Sequence, residues 1–458
     1  MSTNTFVSVP SVSAPLSIEL SPLDQLAASL LVRILWCFET TPTFDKKELS
    51  SSLERGLGRC LQDLPFCAAR IIRDPKSRKA SACTESGIYL HFRDFSNPEL
   101  SELWTAGSYQ HLKEAYFPSS RLRPVYHLLT SKNMMAEENE SVLNIQVSFV
   151  EGGVFIAIAY HHGYMGGPGM DIFLERWARY TAAISRGVEP EALPGLLPQA
   201  NDRQLLPRAE DSSRLPSMLR LKGESQDPVM QRDSPLLATS VWRLSCENAK
   251  KLKEAASSTI GGRPSLNDAL SALIWRHITR ARNPAHSQHQ VSKWTTTCDV
   301  KTRVQPNLPP DFIGNSAVHT VATAKITDLI SSISIDNLPY LTSLIRASIL
   351  AVDHDSISHD VAALSAVQSM SDIDWAVSGD CDAGISNWTR FNYAGRDWGD
   401  CIKCNALRIM DSHNGVSNLT TPAASEGSVE ISITLPEEVI QRLRLDKEFT
   451  KFVTFLCI

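Results

Sequence analysis

Apolar residues along the chain change between a helical and a strand spacing, and this pattern predicts most of its elements. Ser21 followed by Pro22 is typical of a helix start, so we predict a helix over residues 23–38. A second apolar repeat of helical period predicts a helix over residues 47–60, ending before Pro65. The chain is therefore expected to open with two helices.

A β-rich stretch replaces the helical spacing in the middle of the first half. Residues 142–150 and 154–160 are apolar and are separated by a short turn with two glycines, which predicts a hairpin. From Gly169 onward the helical spacing returns. The adjacent pair His161 and His162 is thus placed at the end of a strand, before a glycine-rich turn into a helix.

The second half follows a proline-rich, charged stretch of little periodicity over residues 185–234, which predicts a long connection. A helix over residues 266–282 is predicted, with a capping box formed by Ser265 and Asp268. Further strands are predicted over residues 238–244 and 428–435, and further helices over residues 338–352 and 436–443. This alternation predicts a protein of the α/β class.

The length of the chain predicts two domains, because 458 residues are too many for one ordinary hydrophobic core. We place an N-terminal domain that contains the histidine pair at residues 1–190. A crossover linker is expected at residues 191–235 and a C-terminal domain at residues 236–458. Both domains are expected to mix strands and helices.

Composition and charge narrow the function classes. An apolar fraction of 43% with 21% charged residues is typical of a globular protein. The formal net charge is -5 and the basic residues are scattered, which argues against a nucleic-acid partner. No apolar stretch approaches the roughly 18 to 20 residues that a membrane span needs, and residues 1–16 lack the pattern of a signal peptide. We therefore expect a cytoplasmic protein without a membrane partner.

Two groups of potential metal ligands lack the spacing of a metal site. Cys401 and Cys404 form a CxxC pair, but only His413 lies nearby, whereas a structural zinc site needs two further ligands. The acidic and histidine residues within 353–360 suit a solvated loop or a helix start. Most of the ten cysteines lie in apolar surroundings, which favours buried free thiols over a disulfide framework. We predict no metal site.

The histidine pair is the strongest local signal for chemistry. Imidazole is well suited to general-base work, because its pKa lies near neutral pH. The glycines that follow His162 allow a ligand or another backbone to approach closely. The alternative is a pair of core histidines with satisfied hydrogen bonds in a turn, and the local sequence alone does not decide between the two.

Seven further motifs occur in order along nearly the whole chain. They are Ser21-Pro22-Leu23-Asp24; residues 64–70; Gln146-Val147-Ser148-Phe149 with Gly152-Gly153; residues 267–275; Asp299-Val300-Lys301-Thr302-Arg303 with Leu308-Pro309-Pro310 and Gly314-Asn315; Ser386-Asn387-Trp388; and Asp397-Trp398-Gly399 with Arg408. Together with His161, His162 and Gly167 they resemble the BAHD acyltransferases, and within them the fungal branch that includes trichothecene acetyltransferases. Each motif alone is weak, but seven in order are specific.

This resemblance implies a fold and a mechanism. The fold is that of the CoA-dependent acyltransferases, BAHD or chloramphenicol-acetyltransferase-like, with two similar-sized domains and a channel between them. The resemblance makes His162 the general base and Ser386 the donor to the oxyanion, although a serine at a strand end is also common in ordinary turns. His161 and Gly167 are expected to be structural. Asp397, Trp398 and Gly399 are expected to form a packing loop that shapes the channel from a distance.

The histidine motif departs from the family at one position, where Gly166 replaces an aspartate. In the family this acid pairs with an arginine of the Asp-x-Arg-x-Arg segment and holds the loop. Its loss would leave a buried arginine unpaired, at a cost of several kcal/mol. We therefore predict that the ammonium of Lys301 turns toward solvent and that Arg303 pairs with Asp171 instead.

The resemblance implies an enzyme that transfers an acyl group, most simply acetyl, from acyl-CoA to a hydroxyl of a fungal secondary metabolite. Acyl-CoA would be a co-substrate, no cofactor would be held permanently, and the protein would act as a monomer. The alternative is a channel repurposed for other acid–base chemistry, such as cyclisation or elimination of a natural-product intermediate. Gly166 favours that alternative. A catalytically dead interaction protein is disfavoured, because His162 is retained.

Overall fold

The computed structural model describes residues 2–9, 17–28, 30–126, 140–210, 214–222, 236–257, 264–282, 290–331, 337–377, 380–410, 412–424 and 427–458. The strands are β1 (Ser2–Ser8), β2 (Ser17–Glu19), β3 (Leu31–Thr40), β4 (Ala69–Arg73), β5 (Ala80–Thr84), β6 (Gly87–Asp94), β7 (Leu143–Val150), β8 (Gly153–His161), β9 (Leu219–Leu221), β10 (Leu237–Leu244), β11 (Val291–Asp299), β12 (Ala317–Lys325), β13 (Ile373–Trp375), β14 (Ala383–Asn387), β15 (Ile402–Met410), β16 (Val416–Thr420), β17 (Val429–Pro436) and β18 (Val453–Cys457). The helices are α1 (Pro22–Ala27), α2 (Lys46–Asp63), α3 (Pro98–Ser101), α4 (Tyr109–Glu114), α5 (Gly167–Ser185), α6 (Cys246–Ala255), α7 (Leu266–Arg282), α8 (Ile326–Ile330), α9 (Leu338–Leu350), α10 (His354–Ala366), α11 (Glu437–Leu445) and α12 (Lys447–Thr450).

A six-stranded sheet forms the first half, in the order β1-β6-β7-β8-β3-β15. The predicted hairpin is confirmed as β7 and β8, which pair antiparallel from Leu143 opposite Tyr160 to Val150 opposite Gly153. Helices α2 and α5 pack against each other, and their apolar residues join the core beneath this sheet. The strand that ends in the histidine pair is therefore rigid, because every residue of β8 is buried.

The helix predicted over residues 23–38 is wrong beyond Ala27. Helix α1 ends there, and strand β3 begins at Leu31 and runs between β8 and β15. Residues 33–38 of this strand are all buried, and residues 34–38 form a continuous apolar run. A strand that is buried on both faces loses the alternation that would distinguish it from a helix.

A seven-stranded sheet forms the second half, in the order β12-β11-β14-β16-β17-β10-β18. The predicted helix over residues 266–282 is confirmed as α7, which packs with α6, α8, α9 and α11. Its predicted capping box is present, since Ser265 N donates to Asp268 and Asp268 N donates to the Ser265 hydroxyl. The apolar residues of these helices and of the sheet form a second large core.

One segment of the second half joins the sheet of the first half, which the sequence did not predict. Strand β15 comes from the second half but pairs with β3 in the first sheet. The segment before it brings Trp388, Phe391, Tyr393 and Trp398 into the first core. The described part of the predicted linker over residues 191–235 includes β9, which pairs with β13 in a two-stranded ribbon, and the rest lies outside the described residues.

The predicted α/β class, with two sheet-rich halves, is confirmed by these two mixed sheets. None of the helices in the described residues combines the length and the apolar character that crossing a membrane requires.

Candidate active site

His162 directly follows β8 and faces a cavity of about 930 Å³. Its N–H donates to the Leu30 carbonyl at 2.9 Å, which continues the pairing of β8 with β3. The first half contributes Gly166 and Pro168 to the cavity wall, and the second half contributes Thr297 and Ser386. The side chain is half-buried. The histidine therefore stands on a rigid strand end, at a cavity between the two halves.

A buried hydrogen-bond network fixes the turn that carries His162. The amide nitrogen Nδ2 of Asn315 donates to the His162 carbonyl at 2.8 Å and to the Asp24 carboxylate at 2.8 Å, and the Asn315 backbone N–H also donates to Asp24. Asp24 is fully buried, and Arg203 lies 3.6 Å from its second oxygen. Arg203 also donates to the Tyr164 carbonyl at 2.8 Å. The first helix and the second half thus hold the turn from opposite sides.

The environment of His162 favours the neutral form of its imidazole. Burial is the dominant effect and lowers its pKa below the ordinary value, while its own carbonyl, Asn315 and the charge of Asp24 oppose the shift. A neutral imidazole is the form that can accept a proton from a substrate at neutral pH.

Gly166 is where the chain departs from the family motif, and two oxygen atoms of the 314–315 segment lie close to the position that a side chain there would take. Its N–H donates to the Ile313 carbonyl at 3.2 Å, and the residue forms the N-cap of α5. A Cβ atom at Gly166 would lie 3.1 Å from the Gly314 carbonyl oxygen and 3.4 Å from the Asn315 amide oxygen. At the next position the Gly167 carbonyl accepts from the Tyr393 hydroxyl at 2.9 Å. Close backbone packing holds this loop.

Arg303 is not paired with Asp171, so that prediction is wrong. Its guanidinium donates to the carbonyls of Ile349 and Val352, at 2.7 and 2.8 Å, where α9 ends. Carbonyls at a helix C-terminus lack partners within the helix and attract cations. Asp171 is instead paired with Arg396.

Lys301 does not turn toward solvent, and that prediction is also wrong. Its side chain is only 15% exposed, and its ammonium lies 3.9 Å from Asp299 and 3.4 Å from the Pro310 carbonyl. Burial lowers the pKa of Lys301, and the charge of Asp299 partly opposes this. The lysine therefore lies beside Asp299 in the cavity wall.

Ser386 lies on the same cavity as His162, as the oxyanion role requires. It belongs to β14, and its hydroxyl oxygen accepts from the indole N–H of Trp388 at 2.8 Å. This bond uses a lone pair of the oxygen and leaves the hydroxyl hydrogen free to donate.

His161 points away from solvent and is fully buried. Burial lowers its pKa to about 3, and the charges of Arg73 and His162 add to the shift. Its backbone N–H donates to the Val142 carbonyl at 2.9 Å. A histidine that stays neutral and sealed suits the structural role predicted for it.

The Asp397-Trp398-Gly399 segment does not line the cavity with His162. Arg186 donates to the Asp397 carboxylate at 2.7 and 3.0 Å, and Trp398 packs edge-on against Trp177 at 4.9 Å. Gly399 has a φ of +105°, and a Cβ there would lie 2.2 Å from the Ser185 hydroxyl. The segment is a packing loop in the described structure.

Four basic residues in the cavity wall complete the site: Lys301, Arg303, Arg346 and Arg390. Arg346 and Arg390 escaped the sequence analysis, because no local pattern connects them. They come from separate segments and meet only in the fold, where Arg346 pairs with Asp268 and Arg390 with Asp299. Asp24 and Asn315 were present in the quoted motifs, but their contact joins residues 291 positions apart.

One group of described residues gathers potential metal ligands elsewhere, namely His277, Asp446 and Glu448. Arg280 pairs with the carboxylates of Asp446 and Glu448, and Nδ1 of His277 forms a hydrogen bond with the Asp446 carboxylate at 2.7 Å. The guanidinium already supplies the positive charge that a metal ion would bring.

Comparisons with known proteins give a family match and a shared fold. The model of the family described as the Transferase family matches residues 2–450. The chain is 25% identical to Acyltransferase easC of Emericella nidulans over 97% of both chains. It is 24% identical to Eremophilane O-acetyltransferase prx11 of Penicillium rubens, over 95% of this chain and 98% of that one. The solved structure of F. graminearum TRI101 with coenzyme A and deoxynivalenol resembles it with a TM-score of 0.80 at 16% identity, over 96% of this chain and all of that one.

Proposed function

Since the chain belongs to the Transferase family, as its motifs predicted, we propose that it transfers an acetyl group from acetyl-CoA to a hydroxyl of a fungal secondary metabolite. His162 is the general base. The observation that carries the proposal is the His162 imidazole on a fixed strand end, at a cavity that both halves of the chain enclose. The relative named as an acyltransferase supports acyl transfer. The relative named as an eremophilane O-acetyltransferase supports the choice of an acetyl group and a hydroxyl acceptor.

The reaction follows from the positions of two side chains. His162 takes the proton of the acceptor hydroxyl as its oxygen attacks the carbonyl carbon of the thioester. The carbonyl oxygen becomes an oxyanion, to which the Ser386 hydroxyl donates. The carbon–sulfur bond then breaks, and the protonated His162 returns the proton to the departing thiolate. The products are an ester and free CoA, so atoms and charge balance without a further reactant.

The magnitudes of these two contributions are large enough to carry catalysis. A positioned general base typically contributes about 10²- to 10⁴-fold in rate. One oxyanion donor contributes about 10²- to 10³-fold. Both groups stand on the ends of strands, so little reorganisation is needed as charge develops.

The basic residues of the cavity wall suit the phosphates of CoA as co-substrate. Lys301, Arg346 and Arg390 come from three separate segments and line one cavity with His162. Cations in a cleft raise the local concentration of an anionic ligand and strengthen its binding. A CoA molecule that enters past them would bring its thioester toward His162.

The alternative, acid–base chemistry on a natural-product intermediate without acyl transfer, is favoured by Gly166 alone. The structure weakens that argument, because Ile313 and Asn315 supply contacts that hold the loop. Acyl transfer is therefore the function we propose.

The experiment measures CoA binding and acetyl transfer separately. Calorimetry with CoA is followed by detection of free thiol released from acetyl-CoA in the presence of a panel of neutral alcohols that includes deoxynivalenol. His162→Ala is expected to bind CoA like the wild type but to release thiol at least about 100-fold more slowly. His111→Ala, at an exposed position on α4, is the matched control and should not change either quantity. Absence of CoA binding to the wild type, or full activity of His162→Ala, would overturn the proposal.

A further inference from the structure

A polar row crosses the second sheet on the face that carries Ser386, and it contains a histidine without an assigned role. His319 in β12 pairs with Thr297 in β11, and Thr297 is level with Ser386 in β14, because Thr296 pairs with Ile385. Paired residues of neighbouring strands point to the same face. With strands about 4.8 Å apart, His319 lies about 10 Å from Ser386 along the sheet. We call His319, Thr297 and Ser386 the polar row.

The polar row continues the cavity wall. Thr297, Ser386 and Ala317 line the same cavity as His162, and Ala317 precedes His319 by two residues on the same face of β12. The chain enters β12 from Asn315, which binds the His162 carbonyl. His319 therefore belongs to the wall opposite the catalytic strand end, one step beyond the residues that line the cavity.

The imidazole of His319 is available for binding. It is half-buried. Within the described residues, neither ring nitrogen makes a hydrogen bond, and neither is a buried atom without a partner. Burial lowers its pKa to about 4, and the charge of His162 adds to the shift. At neutral pH it thus offers one hydrogen-bond donor and one acceptor, with no charge.

An exposed tryptophan completes the surface. The ribbon of β9 and β13 presents Trp375, whose indole stands edge-on to the His319 ring at 6.1 Å and remains 41% exposed. The ribbon is tied to the sheet because the ammonium of Lys293 donates to the Ala376 carbonyl at 2.6 Å. The nearest neighbours of His319 on this face are uncharged: Thr297, Ala317 and Val321.

We propose that His319 and Trp375 form the acceptor-recognition site, which takes a neutral, largely apolar, ring-bearing alcohol. The apolar rings of the acceptor pack on the indole, and an oxygen atom other than the reacting hydroxyl bonds to the neutral imidazole. This arrangement turns the reacting hydroxyl toward His162. An anionic acceptor is disfavoured, because the described neighbours of His319 on this face, Thr297, Ala317 and Val321, carry no positive charge. The inference rests on the proposed acyl transfer, to which it adds the class of acceptor.

The test is calorimetric binding of two alcohols to the protein saturated with CoA: deoxynivalenol, a neutral polycyclic alcohol, and shikimate, an anionic one. The wild type is expected to bind deoxynivalenol and to bind shikimate far more weakly. Trp375→Ala should weaken deoxynivalenol binding about tenfold or more. His319→Phe should weaken it about three- to tenfold, and His319→Gln should restore most of the loss. Tyr340→Ala removes an aromatic side chain of similar exposure from α9 and should have no effect.

Each outcome bears on one of the two proposals. Unchanged affinity in both Trp375→Ala and His319→Phe, tighter binding of shikimate, or no binding of deoxynivalenol to the wild type overturns the acceptor site. A wild type that binds deoxynivalenol with the expected variant effects, but transfers no acetyl group to any alcohol, overturns acyl transfer and leaves the binding site standing. An affinity loss in His319→Phe that His319→Gln does not relieve refutes the hydrogen bond.

Discussion

Restoring the aspartate of the family motif is expected to damage this enzyme. In Gly166→Asp the new Cβ atom would lie 3.1 Å from the Gly314 carbonyl oxygen and 3.4 Å from the Asn315 amide oxygen. The Gly314 carbonyl cannot retreat easily, because it shares a peptide group with the Asn315 N–H, which is bonded to buried Asp24 at 2.8 Å. The carboxylate would therefore be added beside two oxygen atoms that are held in place.

Two opposing effects determine how much Gly166→Asp changes the free energy of unfolding. Aspartate is a better N-cap than glycine for α5, but the difference is only a few tenths of a kcal/mol. Overpacking a tight site typically costs about 1 to 3 kcal/mol, and a carboxylate placed beside the Gly314 and Asn315 oxygen atoms adds electrostatic repulsion to that. We expect the free energy of unfolding to fall by about 1 to 3 kcal/mol. Acetyl transfer should fall at least about tenfold, because Asn315 also positions the His162 carbonyl.

The assay is urea unfolding together with release of thiol from acetyl-CoA. Gly166→Ala adds the Cβ atom without the charge and should lose less stability. Gly195→Asp is the matched control, because a Cβ at Gly195 would meet nothing within 4 Å. If Gly166→Asp proved as stable as the wild type and equally or more active, the role assigned to the 313–315 backbone would be refuted.

Three further predictions concern the oxyanion donor, the packing loop and the pH dependence of stability. Ser386→Ala should lower kcat about 10²- to 10³-fold while calorimetry finds CoA affinity unchanged; an unchanged kcat would remove the oxyanion role. Trp398→Ala should lower the free energy of unfolding by about 3 to 5 kcal/mol, because its buried indole packs on Trp177, yet leave the KM values intact; a raised KM for CoA would place the loop in the binding site. The folded pKa of His161 is about 3 against an ordinary 6.5, so its contribution to stability is present above pH 6.5 and is lost as pH falls toward 3, by up to about 1.4 kcal/mol per pH unit. His161→Gln should flatten the curve of unfolding free energy against pH between 4 and 6, and an identical slope would contradict the assignment.

The elements that could be predicted from sequence are those whose signals are local. Helix α7 carries its period and its capping box within one segment, and β7 and β8 are joined by a short turn. Strand β3 could not be recognised, because burial on both faces removes the alternation on which strand prediction depends. The position of β15 in the first sheet could not be predicted from the sequence, since it depends on pairing with a strand more than 350 residues earlier.

The candidate site divides in the same way. The resemblance of the motifs predicted His162 and Ser386 as site residues, and both line one cavity in the fold. Salt-bridge partners were harder to predict. Arg303 donates to a carbonyl at the end of α9, and Asp171 pairs with Arg396. The choice among several arginines is made by how helices dock, which a motif does not contain. His319 belongs to none of the quoted motifs and is located only by the register of β11 and β12.

The most direct test of the central claim is the pH dependence of kcat/KM for acetyl transfer by the wild type and by His162→Ala. Because burial holds the pKa of His162 below its ordinary value of 6.5, the wild-type rate should be constant above about pH 7 and fall only below pH 6.5 as the base becomes protonated. His162→Ala should retain a residual rate without that acidic limb. A wild-type limb centred above pH 6.5, or the same limb in His162→Ala, would contradict the assignment of His162 as the base.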